Sequence, residues 1–242
     1  MIVGGWRPAQ VIETSAVTPS ARVLRLSVPG WPGSEPGQHV DIRLTAADGY
    51  QAVRSYSLGS YGPDTTIELA VDEVPDGEVS PYLVQEVRAG DELEVKGPLG
   101  GYFVWRPGGA APVQLIAGGS GIVPLAAMVR ARADAASGPS FRLLYSVRTP
   151  QDAIYRDLLA ERARSGGVEL TWVYTRGGPD GWIGRVGRID DAVIGDAVWP
   201  ADAAPEVFVC GPTSFVEHVA DALVRLGHPP ASIKTERFGG AR

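Results

Sequence analysis

The spacing of apolar residues changes near the middle of this chain, and the change divides it into two kinds of structure. In the first part, apolar and polar positions alternate in short runs, as in Ala21–Val28 with Val23, Leu24, Leu26 and Val28. Alternation of this kind predicts strands with one buried face. They fall at Gln10–Thr14, Ala21–Val28, His39–Leu44, Val53–Leu58, Thr66–Val74 and Glu92–Gly97. Turn signals separate them: Pro29-Gly30, Asp48-Gly49, Gly62-Pro63-Asp64 and Asp76-Gly77. Only Pro81–Val87 reads as helical. Six short strands at this spacing predict an antiparallel barrel or sandwich.

The glycine- and proline-rich stretch Trp105–Pro112 marks a boundary, giving domains over residues 1–108 and 109–242. Beyond it, continuous apolar runs alternate with segments of helical period. The predicted strands are Val113–Ala117, Phe141–Ser146, Val168–Tyr174, Glu206–Cys210 and Ser232–Glu236. The predicted helices are Pro124–Ala136, Asp152–Arg164 and Ser214–Leu226. The last carries Phe215, Val216, Val219, Ala222, Leu223 and Leu226 on one face, with Thr213 as a capping hydroxyl and Gly227 as the stop. This order predicts a doubly wound α/β domain with five parallel strands, whose ligands sit beyond the carboxyl ends of those strands. Gly118–Gly121, Ser146–Arg148, Tyr174–Gly177 and Cys210–Pro212 all follow strand ends and are expected on one rim.

The stretch Val113–Met128 joins a buried strand, a glycine turn and a helix start. Free N–H groups and the positive dipole end of a helix favour phosphate, and glycine lets a ligand approach the backbone. An ordinary strand-to-helix turn has the same look. A dinucleotide fingerprint reads G-x-G-x-x-G, whereas Gly119, Gly121 and Pro124 here put proline in the third place.

In the β-rich half, Arg54-Ser55-Tyr56-Ser57-Leu58 places Arg54, Tyr56 and Leu58 on one strand face and the serines on the other. An arginine beside a tyrosine can pair with phosphate while the ring covers a flat heterocycle; taken alone, this element reads more simply as an edge strand with an exposed arginine. The turn Asp76–Pro81 offers a second candidate phosphate site or a plain turn.

Composition narrows the classes. The 242 residues carry a net charge of −6, all of it in residues 1–108, where 8 Arg and Lys face 14 Asp and Glu. The second part is balanced at 14 against 14, so nucleic acid is a disfavoured partner. A single cysteine, Cys210, excludes an internal disulfide and a cysteine-ligated iron–sulfur cluster. His39, His218 and His228 lack metal-ligand spacing, and no metal site is predicted. The opening MIVGGWRPAQ is too short and polar for a signal peptide. No run of about 18 apolar residues offers a membrane span. A cytoplasmic protein is expected.

Taken together, RSYSL (Arg54–Leu58), GEVSPYL (Gly77–Leu83), GPLGGYF (Gly97–Phe103), GGSGIVPL (Gly118–Leu125), VCGP (Val209–Pro212) and ERFGG (Glu236–Gly240) resemble the ferredoxin–NADP reductase superfamily. The nearest likeness is to the reductase modules of bacterial oxygenases. The resemblance implies a six-stranded antiparallel β-barrel binding FAD, with FMN as the lesser alternative, and an α/β domain binding NADPH or NADH. It implies that Arg54 binds flavin phosphate, Tyr56 packs on the isoalloxazine and Ser57 lies near flavin N5, with Leu58 beside them. Gly77, Val79 and Ser80 would hold the FAD pyrophosphate. Gly118, Gly119, Ser120, Gly121 and Pro124 would cradle the nicotinamide dinucleotide, and Cys210, Gly211 and Pro212 would line the nicotinamide pocket. Phe238 would be the aromatic near the flavin, and Glu236 a polar contact for the nicotinamide amide.

Selection between the two donors falls on the strand ends. An NADH enzyme of the dinucleotide-fold type carries an acid about 20 residues past the glycine turn. Here Ser146 and Arg148 occupy that place, with Arg156 and Arg176 near, which suits a 2′-phosphate and points to NADPH. The implied reaction is hydride transfer from nicotinamide to flavin and then electron transfer to a separate acceptor, such as a ferredoxin or another redox protein. The acidic flavin half makes an acidic partner a poorer match. A free flavin or quinone reductase and a non-catalytic nucleotide-binding regulatory subunit are the alternatives.

Overall fold

The computed structural model describes residues 5–135 and 138–239. The chain forms two compact units that divide between Trp105 and Arg106. The first unit is built from six strands: β1 (Arg7–Ala16), β2 (Ala21–Ser27), β3 (His39–Thr45), β4 (Gln51–Ser57), β5 (Thr66–Asp72) and β6 (Glu92–Leu99). All pairings are antiparallel, in the order β4-β3-β6-β1-β2-β5. A bridge between Leu58 and Leu69, with Gly59 N–H donating to Glu68 O, brings the two edge strands together and closes the barrel. Closure removes the exposed edges that an open sheet of this length would present. The interior is filled by Leu24, Leu26, Val40, Ile42, Leu58, Leu69, Leu83 and Val95; Leu24, Leu26 and Val28 of the alternating run Ala21–Val28 all point inward. The helical reading of Pro81–Val87 shrinks to one wide turn, Tyr82–Glu86, whose Leu83 enters the core.

The second unit holds β7 (Val113–Gly118), β8 (Phe141–Val147), β9 (Glu169–Tyr174), β10 (Glu206–Pro212) and β11 (Ile233–Phe238). All pairs are parallel, in the order β11-β10-β7-β8-β9. The helices are α1 (Ile122–Asp134), α2 (Arg156–Arg164), α3 (Asp191–Ala197) and α4 (Thr213–Arg225). On one face, Ile116, Leu144, Val207 and Val209 pack with Ile194 of α3 and with Val216, Val219, Ala222 and Leu223 of α4. Burying each large side chain in such a cluster contributes about 1.5–3 kcal/mol. None of the buried residues of α1 belongs to this cluster; α1 packs on β7, β10 and α2 from the other side. Covered on both faces, β7 is buried at every position, which is why its sequence shows no alternation.

The departures from expectation lie at element ends. The first helix begins at Ile122, so Pro124 sits inside its first turn, where the missing N–H leaves no hydrogen bond unmade. The Ala136 end assigned to it lies outside the described residues. The second helix starts only at Arg156, because Thr149 and Asp152 close a separate turn: Asp152 accepts from the Thr149 N–H at 3.0 Å and hydroxyl at 2.6 Å. Thr213 does not cap α4; its hydroxyl donates to Gly239 O at 3.0 Å. Leu226, assigned to the apolar face of α4, is exposed just past its end. Helix α3 was not expected; it is seven residues long and capped by Asp190, which accepts from Val193 N–H at 3.0 Å.

Polar clasps hold the sheet at its amino ends. The fully buried Gln114 accepts from Trp199 N–H at 3.0 Å, and Arg142 lies 3.9 Å over the Trp199 ring while donating to Val198 O. His228, also buried, hydrogen-bonds the Trp199 backbone. These contacts fill the amino-end rim with side chains.

Candidate functional site

The sheet order reverses between β7 and β10: β8 and β9 follow β7 on one side, and β10 and β11 lie on the other. Such a reversal opens a crevice beyond the carboxyl ends of the two central strands. Both strands enter it with glycine. A Cβ on Gly121 would sit 2.2 Å from Cys210 O and 2.7 Å from Gly211 N, and one on Gly211 would sit 3.2 Å from Gly118 Cα. The two turns therefore touch backbone to backbone, a contact no side chain could share. Phe215 of α4 wedges beside them, within 3.0 Å of a Cβ on Gly118 and on Gly211. Gly119 differs: its φ is +55°, and a Cβ there meets nothing within 4 Å. It is glycine for its left-handed backbone, and it faces open space where a ligand can approach.

The register places the other rim residues at the same level. Gly118 pairs with Ser146, Ser146 with Val173, and Ala117 with Cys210. Past the strand ends, Thr175 N–H donates to Val147 O at 2.8 Å and Arg176 N–H to Arg148 O at 2.9 Å. This rung draws Arg148 and Arg176 together. Arg156 pairs with Asp157 at 3.6 Å, both exposed, and lies near Tyr174, whose phenol is raised by burial against the pull of that cation. The loop that follows is pinned by Trp182, whose ring occupies the space a Cβ on Gly178 or Gly184 would need and meets Tyr174 edge-on at 5.0 Å. Ser146 is buried, so of this group the arginines carry the accessible donors.

Cys210 is almost wholly buried, and burial pushes its thiol well above the ordinary range. That is the environment of a packing group, not of a thiolate nucleophile. On β11, Glu236 lies opposite Cys210 and Phe238 opposite Pro212, with the Phe238 ring partly exposed at the strand end. Gly240 of the terminal motif lies outside the described residues.

In the first unit, burial rises along one face of β4, from exposed Arg54 through half-buried Tyr56 to Leu58 at the core. Burial pushes the Tyr56 phenol up to about 12, with Arg54 opposing it. Leu58 and Val79 are core residues, so only their backbones are available to a ligand. On the other face, Ser55 donates to Asp41 at 2.6 Å. The turn before Tyr82 braces itself: Val74 N–H donates to Ser80 Oγ at 3.0 Å and Gly77 N–H to Val74 O at 3.0 Å. A Cβ on Gly77 would meet both partners, at 2.9 and 3.2 Å, so the turn closes only with glycine there. The Ser80 oxygen is thus already an acceptor and has its proton left to donate.

Nothing in the chain's local pattern marks what Arg54 touches. Its guanidinium pairs with the Glu78 carboxylate and donates to Val53 O at 2.8 Å. The Tyr50 hydroxyl donates to the other Glu78 oxygen at 2.8 Å. That hydrogen bond first, and Arg54 second, hold the Glu78 carboxyl below the usual range. Beside them lies a cavity of about 480 Å³ lined by Arg43, Tyr50, Glu78, Tyr82, Glu92 and Glu94, among others. The signal for Glu78 was its place inside the turn motif; nothing marked Tyr50.

These residues fit the groups the motifs imply. A half-buried phenol and an exposed guanidinium offer partners to a flat ring and its phosphate. The open glycine turn with its basic rim offers a dinucleotide both backbone and charge. No group of three or more His, Cys, Asp or Glu residues suited to a metal occurs among the described residues. No helix among them is long and apolar enough to cross a membrane.

Comparison with known proteins agrees with this division. Residues 8–104 match the oxidoreductase FAD-binding domain and residues 115–221 the oxidoreductase NAD-binding domain. Ferredoxin–NADP reductase B of Sorangium cellulosum is 35% identical over 214 residues, 84% of this chain and 85% of its own length. The glycine betaine monooxygenase reductase subunit of Chromohalobacter salexigens is 32% identical over 210 residues, 85% of this chain; the match spans only 56% of that subunit. Among solved structures, the Amycolatopsis cytochrome P450 reductase superposes with a TM-score of 0.83 at 30% identity, covering 98% of this chain and 72% of its own. The FAD/NAD-binding domain of a Vibrio cholerae nitric oxide dioxygenase gives 0.84 at 24% identity, a likeness of fold, covering 98% of this chain and 100% of its own.

Proposed function

The chain belongs to the ferredoxin–NADP reductase family, and from that premise we propose that it moves hydride from NADPH, with NADH the weaker donor, onto FAD and passes electrons to a separate redox protein. The observation that carries the reading is the β7/β10 crevice, with its paired glycine turns, beside an Arg148–Arg176 rim. FAD supplies a hydride acceptor that can release its electrons one at a time. The protein's work is binding and orientation.

In this reading, residues 1–108 hold the flavin and residues 109–242 the nicotinamide dinucleotide. Arg54 takes flavin phosphate, the Gly77–Ser80 turn offers backbone N–H groups and the Ser80 proton, and Tyr56 covers one face of the ring. Ser57 sits near the ring's reactive nitrogen. The Gly118–Gly121 turn and Pro124 receive the dinucleotide pyrophosphate. Cys210, Gly211 and Pro212 shape the nicotinamide pocket, and Phe238 screens the flavin until nicotinamide arrives. Arg148 and Arg176, with Arg156 near, neutralise the 2′-phosphate; Ser146 supports them from beneath. No side chain needs to act as acid or base in the hydride step. The acceptor is a separate electron carrier, and the reaction belongs in the cytoplasm, where its reduced donor is made.

The test is a visible spectrum of the purified protein, then rapid-mixing reduction by NADPH and by NADH. A flavin spectrum bleached faster at equal concentration by NADPH is expected. A colourless protein that takes up no flavin would defeat the proposal. Turnover with free FMN or quinone that matches turnover with every candidate protein acceptor would remove the protein-acceptor part alone.

A further inference from the structure

Arg54 reaches its ligand already paired with a carboxylate. Glu78 takes one edge of the guanidinium and Val53 O another, leaving N–H groups free to donate but the local charge near zero. Glu78 is not loosely placed: the Tyr50 hydroxyl holds it at 2.8 Å, and it stands on the turn that Gly77 and Ser80 close. The neighbouring cavity adds no spare positive charge. Arg43 there is spent on Glu94, through two hydrogen bonds of 2.8 and 2.5 Å, and Glu92 adds a further acid.

A phosphate site of this kind distinguishes ligands by charge per phosphate. FMN ends in a phosphomonoester that carries between one and two negative charges at neutral pH, its second ionisation lying near 6. Each phosphate of the FAD pyrophosphate has one ester and one anhydride link and carries one. The geometry points to Glu78 as the residue that selects FAD over FMN, by opposing the second charge of a terminal phosphate at Arg54. The inference rests on the assignment of Arg54 to the flavin phosphate. Glu78 remains ionised through the range where FMN titrates, since Tyr50 and Arg54 hold its carboxyl below the usual value. The titratable and charged groups that share the cavity with it are Arg43, Tyr50, Tyr82, Glu92 and Glu94, with Arg54 paired to it and the Tyr50 hydroxyl in contact.

The experiment strips flavin from the full chain and titrates it with FAD and with FMN, following flavin fluorescence. The parent is compared with Glu78→Gln, Glu78→Ala and Arg54→Gln. Both Glu78 variants are expected to raise FMN affinity relative to FAD by about fivefold to tenfold, the range for one half-exposed charge acting across a few ångströms in a solvated site. In the parent, lowering the pH from about 7.5 to about 5.5 should tighten FMN as its phosphate gains a proton, and in Glu78→Gln this gain should be smaller. A merely structural Glu78 would weaken both flavins alike and leave their ratio fixed. If the ratio stays within about twofold of the parent while Arg54→Gln weakens both flavins, the selectivity role falls and the Arg54 assignment stands. If Arg54→Gln binds FAD as the parent does, the assignment itself fails, and the role of Glu78 with it.

Discussion

Replacing Gly121 by alanine tests whether the crevice is built by backbone contact. Its φ of −60° suits any residue, so the substitution introduces no strain of its own. The added methyl would instead lie 2.2 Å from Cys210 O, 2.4 Å from Cys210 C and 2.7 Å from Gly211 N. Ordinary contact needs more than 3.4 Å, and every neighbour is main chain held in a parallel sheet, so the β7 and β10 ends must part by about an ångström. Overpacking of this kind costs about 3 kcal/mol, the upper part of its usual range. That corresponds to a fall in melting temperature of about 6–12 °C for a chain of this size. Gly119→Ala is the control. It meets no atom within 4 Å but must hold a φ of +55°, a cost of about 1 kcal/mol. Differential scanning calorimetry near neutral pH should rank Gly121→Ala well below Gly119→Ala, with flavin content per folded chain unchanged in both. The reasoning is refuted if Gly119→Ala is the less stable variant, or if Gly121→Ala melts within about 2 °C of the parent.

Two further outcomes follow from the rims. Arg148→Ala should raise KM for NADPH by about tenfold, the loss of one charge-assisted contact to phosphate, and leave KM for NADH and flavin content nearly unchanged; Arg54→Ala should mainly lose flavin, and steady-state kinetics beside flavin extraction separates the two. Burial holds the His228 imidazole below its ordinary value, so its contribution to stability is complete above the unfolded value of about 6.5 and is lost as pH falls through the lower folded value. Melting curves at about pH 7 and about pH 5 should therefore show a smaller acid loss in His228→Gln than in the parent, with the loss from His39, which burial also lowers, still present in both.

Much of the fold was legible because side-chain period reports which faces are buried. The β2 run Val23, Leu24, Leu26 and the β7 run Val113, Leu115, Ile116 and Ala117, apolar but for Gln114, announce an antiparallel and a parallel strand by their patterns. Helix α3 was not legible: seven residues with one fully buried side chain, Ile194, carry too little periodicity to stand out. The glycines were visible but their reasons were not. Gly119 answers to a dihedral angle, whereas Gly121 and Gly211 answer to a neighbour some 90 residues away in the chain, which no local pattern encodes. The tie between Arg54 and Glu78 was hidden for the same cause, since 24 residues and a barrel wall's curvature separate them along the chain. Thr213 shows the opposite failure, a local capping rule overridden by the tertiary partner Gly239.

The backbone-to-backbone seam at the β7/β10 crevice also shapes how this reductase can diverge. The turns proposed to cradle the dinucleotide are made of main chain and cannot drift without parting the sheet, while Arg148 and Arg176 project from loop ends where surface substitutions shift stability by only about 0.5 kcal/mol or less. On the proposed role of the rim, coenzyme preference is free to evolve, or to be re-engineered, by exchanging those side chains. The cradle stays as an inherited, nearly immutable part.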